Sequence, residues 1–194
     1  MVGWFSKYSL TERALLTAFV TSALLLAGAH FFERVVGLLP CALCLDQREA
    51  HWAALGICTS GLVAALVLRA KKGAAAAVGA AALIYALSAG LAFFHTGVEY
   101  KFWPGPATCS GGAGAIITDL ASIGQSLSAP VEAPACDEAA WRFLGVSMAG
   151  FNMLISAGLF ALTLLAALSE TRAAQSLRRE APAPVTPLAP GGLG

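Results

Sequence analysis

Charge is what this 194-residue chain has least of: 12% of its residues are Asp, Glu, Lys or Arg, 58% are hydrophobic, and the mean hydropathy is +0.73. So small a polar fraction cannot cover a water-soluble globule, and the chain reads as an integral membrane protein. The twelve basic residues are scattered and build no interleaved basic and aromatic stripe, so no nucleic-acid partner is expected. A second C-x-x-C is missing too, so the cysteines do not form the paired knuckles of a zinc ribbon, and no metal site is expected. The single C-x-x-C lacks the following histidine of a haem attachment site, because Leu45 stands there.

What is present is a set of four runs free of Asp, Glu, Lys and Arg, at 14–32, 50–68, 73–94 and 143–168. Each holds about 20 residues or more, enough at roughly 1.5 Å per residue to cross a hydrocarbon core of about 30 Å. Backbone polar groups find no water there, so the runs predict helices and an all-α, four-helix membrane bundle. The third run opens with four alanines and carries several glycines, small side chains that suit close helix contacts. Ala27-Gly28-Ala29 resembles a signal-peptide cleavage site, but the apolar stretch continues through Phe31 and Phe32 and is long enough to span.

Orientation follows from lysine and arginine. Lys7 and Arg13 precede the first run, Arg69, Lys71 and Lys72 fill the second connection, and Arg172, Arg178 and Arg179 follow the fourth run. The opposite segments hold Arg34 and Arg48, then Lys101 and Arg142, and Asp119, Glu132, Asp137 and Glu138 make the longer one acidic. The positive-inside rule then places both termini in the cytoplasm and the loops at about 33–49 and 95–142 outside. In the longer loop, Trp103-Pro-Gly-Pro106 and 130–134 read as irregular. Ile116, Ile117, Leu120, Ile123 and Leu127 recur at helical spacing between them. That pattern fits a short helix lying in the membrane interface or one packed on the protein itself. Residues 1–168 read as one membrane domain and 169–194 as a cytoplasmic tail, largely disordered in its Pro, Ala, Gly and Leu-rich part beyond Glu180.

Four of the five cysteines fall in the two outward loops: Cys41 and Cys44, then Cys109 and Cys136. On that side of a bacterial membrane disulfides persist, so two disulfides are expected at rest. Stapling would suit Cys109 and Cys136, whose loop of about 27 residues would gain roughly 3 kcal/mol in the chain-entropy model. It suits Cys41 and Cys44 poorly, since so tight a ring orders almost nothing, and tight C-x-x-C pairs are mostly redox centres. Were a helix to start near Cys44, its positive end and Arg48 one turn later would favour a thiolate, the attacking and electron-donating form. Arg48 could equally be a snorkelling residue at the helix end, and Asp46 and Glu49 oppose the thiolate. Cys58, alone within the second run, reads as packing.

Taken together, Pro40-Cys-Ala-Leu-Cys-Leu-Asp-Gln-Arg48, His95-Thr96, Trp103-Pro-Gly-Pro-Ala-Thr-Cys109 and the stretch from Cys136 through Trp141 to Met148 resemble, in order, the disulfide bond formation protein B (DsbB) family over roughly residues 10 to 168. The resemblance implies a bacterial inner-membrane oxidoreductase whose cofactor is a quinone, ubiquinone or menaquinone, and whose partner is a periplasmic thioredoxin-fold protein similar to DsbA. It implies that the partner attacks Cys109, that Cys136 then engages Cys41, and that electrons leave from Cys44. Arg48 would orient the quinone, with His95 as its neighbour. Vitamin K epoxide reductase relatives order their cysteine pairs the other way, and relatives of DsbD carry cysteines within their helices. A non-catalytic protein with two stapled loops, or an oxidase for a dedicated partner, is the alternative expectation.

Overall fold

The computed structural model describes residues 8–106, 109 and 135–180. The candidate helix at 116–127, the irregular stretch at 130–134 and the tail from 181 onward lie outside the described residues. Among the described residues, four helices are long and apolar enough to cross a membrane. They are α1 (Leu10–Arg34), α2 (Ala42–Leu62, prolonged by a π-helical turn at Val63–Val67), α3 (Lys71–Glu99) and α4 (Met148–Glu180). A two-stranded antiparallel hairpin, β1 (Arg142–Phe143) and β2 (Val146–Ser147), precedes α4.

Local chemistry sets the helix ends. Ser9 and Glu12 form a capping box on α1, the Ser9 hydroxyl accepting from Glu12 N–H at 3.2 Å and the Glu12 carboxylate from Ser9 N–H at 2.8 Å. The chain leaves α1 through Gly37, whose φ of +82° suits a residue without Cβ. Cys41 caps α2, its sulfur accepting from Cys44 N–H at 3.3 Å. Capped there, α2 begins before its apolar run, and Asp46, Arg48 and Glu49 occupy its first two turns.

At the other end of the long loop, residues 143–147 are hairpin rather than the first turn of the fourth span. Leu144 and Gly145 both take positive φ, 50° and 81°, the geometry of a tight two-residue hairpin turn. α4 in turn runs to Glu180, so the tail segment stays helical through 169–180, and Thr11 donates to Glu170 across the bundle end.

α3 packs on α4 and α2, and α1 packs chiefly on α2. The core draws Leu15 and Ala18 from α1, Ala54 and Cys58 from α2, Val78, Ala81 and Tyr85 from α3, and Leu159 and Ala166 from α4. Cys58 is fully buried there, as packing requires. Small residues permit the approach of α2 to its neighbours: a Cβ on Gly61 would lie 2.7 Å from Ala77 Cβ and 2.8 Å from Leu15 Cδ1. Leu24, Leu83, Leu87, Leu154 and Leu165 face outward, as a lipid-facing surface requires. The α1–α2 and α3–α4 connections meet at one end of the bundle, which is where the four loop cysteines gather.

Candidate functional site

Cys41, Cys109 and Cys136 are buried together against Leu43, Val98 and Trp103, with Cys44 packed at the edge. Cys109 and Cys136 form a disulfide, reinforced by Cys136 N–H donating to Cys109 C=O at 3.1 Å. The second disulfide expected at rest is not formed. Cys41 and Cys44 are free thiols with their sulfurs 2.9 Å apart, Cys41 donating to Cys44. That hydrogen bond, and then burial, pushes the Cys41 thiol well above its ordinary range, so Cys41 keeps the proton and Cys44 is the acceptor of the pair.

His95 links the pairs. Its Nε2 lies 3.7 Å from Cys41 Sγ, and Cys41 Sγ, Cys136 Sγ and a His95 ring nitrogen all lie within 4.8 Å of one another. In this form the Cys136 sulfur is bonded to Cys109, so the cluster offers a metal only two ligands.

Three fastenings hold the long loop over Cys41. The Trp103 ring lies on the bare backbone of Gly97, where a Cβ would come within 2.0 Å of it, and Trp103 Nε1 donates to Phe94 C=O at 2.9 Å. Lys101 pairs with Asp137, next to Cys136, and holds that exposed carboxyl below its ordinary value. The hairpin is tied to the end of α3 by Ser147 donating to the Glu99 carboxylate, Tyr100 to Gly145 C=O and Arg142 to Glu99 C=O.

Inside the bundle a cavity of about 480 Å³ is walled by apolar residues such as Leu25, Phe32, Phe151 and Ile155. Cys41, Cys44, Arg48 and His95 all reach it. The Arg48 guanidinium is held by the Glu33 carboxylate and by Ala29 C=O, both on α1. Gln47, His51, Glu99 and Asn152 share the lining. Glu33, His51, Glu99 and Asn152 escaped sequence reasoning, and Gln47 entered it only within the motif that ends at Arg48. The one available signal was that polar side chains placed within helices near a membrane are costly and so mark a site.

The structure thus brings all six sequence-derived residues, Cys41, Cys44, Cys109, Cys136, Arg48 and His95, to one end of the bundle. A disulfide and a thiol pair in contact, the latter beside an apolar cavity among the helices, make an arrangement able to exchange disulfides.

The family model described as disulfide bond formation protein DsbB matches residues 11–166. The chain is 32% identical over 174 residues to the disulfide bond formation protein B of Pasteurella multocida strain Pm70, covering 87% of this chain and 90% of that protein. It is 34% identical over 151 residues to the protein of the same name from Marinobacter nauticus, covering 73% and 86%. For the Vibrio vulnificus CMCP6 protein the identity is 33% over 133 residues, covering 68% and 73%. With the match spanning all four helices and both cysteine pairs, the chain belongs to the disulfide bond formation protein B family of transmembrane, disulfide-generating oxidoreductases.

Proposed function

We propose that the protein reoxidises a periplasmic dithiol protein similar to DsbA and passes the electron pair through its two cysteine pairs to a membrane quinone. The observation that carries this reading is a continuous run of sulfurs. Cys109 is bonded to Cys136, Cys136 lies within 4.8 Å of Cys41, Cys41 lies 2.9 Å from Cys44, and Cys44 borders the cavity.

The steps balance as thiol exchange. A partner thiolate attacks Cys109, a partner–Cys109 disulfide forms, and Cys136 leaves as a thiolate. With the Cys41–Cys44 pair oxidised, Cys136 attacks Cys41; that bond forms, the Cys41–Cys44 bond breaks, and the electron pair rests on Cys44. The partner's second thiolate then attacks its own bond to Cys109, which releases the oxidised partner. Cys109 thiolate closes on Cys136, and Cys41 leaves to rejoin Cys44 as the electrons are given up.

The cavity fits a quinone ring: its volume falls in the range of small-molecule sites, about 300–1,000 Å³, and its walls are apolar with few polar groups. A bound quinone supplies a two-electron, two-proton acceptor for the pair held on Cys44. Arg48 would hold a carbonyl oxygen, since Glu33 and Ala29 engage only part of its five N–H donors, and His95 is its neighbour on the lining.

The loops would face the periplasm and both termini the cytoplasm of the inner membrane. Arg13, Arg69, Lys71, Lys72 and Arg172 cluster at the opposite end of the helices from the cysteines and support this orientation. Residues 1–168 would form the oxidoreductase domain and 169–194 a cytoplasmic extension.

The test is quinone reduction by purified protein in detergent with a reduced DsbA-like substrate, for wild type and Cys44→Ser. Turnover is expected in the wild type and none in the variant, which should still trap the partner on Cys109. No wild-type turnover with either ubiquinone or menaquinone would overturn the reading in favour of a dedicated partner or a stapled, non-catalytic protein.

A further inference from the structure

Six buried or half-buried polar side chains from all four helices form one hydrogen-bonded chain through the bundle. His95 Nδ1 lies 2.7 Å from Gln47 Nε2, Asn152 Nδ2 donates to Gln47 Oε1 at 2.7 Å, and His51 Nε2 lies 2.8 Å from Asn152 Oδ1. The chain continues from His51 Nδ1 to Ser22 Oγ at 3.0 Å and on to Tyr85 Oη at 2.8 Å. Polar groups are costly at membrane depth, and a chain this complete is an arrangement with a direction.

That direction is set at one point. Gln47 Nε2 also donates to Leu43 C=O at 3.2 Å, and a backbone carbonyl can only accept. A flipped Gln47 would set its oxygen against the Leu43 oxygen, so the amide nitrogen must face His95. His95 Nδ1 must then accept, and the neutral ring carries its proton on Nε2. The same logic runs on: Asn152 gives its N–H to Gln47, presents Oδ1 to His51, and takes a further hydrogen bond from Ser156 Oγ at 3.2 Å.

We propose that Gln47 and Asn152 are positioning residues that lock His95 in the Nε2–H tautomer, so that it donates toward the sulfurs at the junction of the two cysteine pairs. The inference rests on the exchange pathway proposed above and deepens it. Nε2 is 3.7 Å from Cys41 Sγ, with Cys136 Sγ inside the same 4.8 Å cluster, where negative charge arrives when the partner displaces Cys136 as a thiolate. The proton is not transferred; it stabilises the thiolate while the Cys136–Cys41 bond forms and the Cys41–Cys44 bond breaks. Two acceptors compete with the sulfurs for this proton: Glu99, whose Oε1 lies 3.8 Å from Nε2 and whose other carboxylate oxygen is engaged by Ser147, and the backbone carbonyl of Cys136.

The experiment is nitrogen-15 NMR of histidine-labelled full-length protein in detergent, with the His95 signals assigned by loss in His95→Gln, beside the rate of trapping the Cys41–Cys136 bond after a reduced partner is added. Wild type is expected to show a bare Nδ1 and a protonated Nε2. Gln47→Glu, which has no N–H to offer, should move the proton to Nδ1 and slow trapping about tenfold, the scale of one lost hydrogen bond. Asn152→Leu should give a mixture of tautomers. A wild-type proton on Nδ1, or an unchanged tautomer or trapping rate in Gln47→Glu, overturns the proposal. The nitrogen shifts are read without turnover, so a failure of quinone reduction would overturn the proposed function and leave the tautomer result decisive on its own.

Discussion

Replacing Gly97 with Ala should uncouple the two cysteine pairs without touching a cysteine. A Cβ at this position would meet Trp103 ring carbons at 2.0, 2.3 and 2.6 Å, so the ring has to leave. On leaving it gives up the hydrogen bond from Nε1 to Phe94 C=O, worth about 1 kcal/mol. It also gives up its stacking on Phe94, with centroids 6.0 Å apart, and its tilted contact with Phe93 at 5.6 Å. Aromatic pairs contribute about 0.5–1.5 kcal/mol each, and the low end applies because Trp103 is half-exposed. The total is roughly 2 kcal/mol, or about 30-fold in the equilibrium constant for docking the loop that carries Cys109. Partner oxidation should therefore fall by up to about 30-fold in Gly97→Ala, while direct reduction of the Cys41–Cys44 pair by a small thiol proceeds at least as fast as in the wild type, because the undocked loop no longer covers Cys41. Trp103→Ala should lose as much, and adding Gly97→Ala to it should cost nothing more, since the two residues act as one contact. Wild-type partner oxidation in Gly97→Ala, or losses that add in the double variant, would refute the reasoning.

Arg48→Ala should raise the apparent quinone Michaelis constant about tenfold, the scale of a lost charge-assisted hydrogen bond, in steady-state assays; an unchanged constant would remove Arg48 from the quinone site. The Lys101–Asp137 pair holds the Asp137 carboxyl below its ordinary value of 3.8, so its support of the loop is complete above that pH and is lost as the pH falls through the lower folded value. Hydrogen exchange around Cys136 should accordingly rise on strong acidification in the wild type. In Asp137→Asn it should be raised already at neutral pH, with a flat acid limb. Leu144, at φ 50° and almost fully exposed, carries left-handed backbone strain of about 1 kcal/mol. Leu144→Asn restores the residue pair such a turn prefers and should raise the thermal midpoint by about 2–4 °C, read by unfolding in detergent.

The four charge-free runs were sufficient to specify four helices, because in hydrocarbon a chain must satisfy its backbone internally and length then decides what spans. The C-x-x-C, with Cys109 and Cys136 further on, was legible for a similar reason: cysteine reactivity depends on residue type, spacing and compartment, all written locally. Helix ends were legible only where a local cap could be read. The charge-free run opened at Ala50, yet the helix start expected near Cys44 is found, since α2 begins at Ala42 with Cys41 as its cap; the hairpin before α4 depends on two residues at positive φ, which the charge-free run did not mark.

What no window of sequence contains is the rotation and register of one helix against another. Cys136 meets Cys41, Glu33 meets Arg48, Trp103 rests on Gly97, and Gln47 joins His95 to Asn152, because small residues such as Gly61 let α2 approach α1 and α3 closely. Hydrophobic pattern says which residues leave water, and it is nearly uniform around these helices. Only packing decides which of the buried polar groups face one another. The sequence by itself therefore determined the membrane class, the helix count and the reactive cysteines, with their order implied by the family resemblance, and the tertiary structure alone decided which helix faces bring those sulfurs together with Gln47, Asn152 and Glu99.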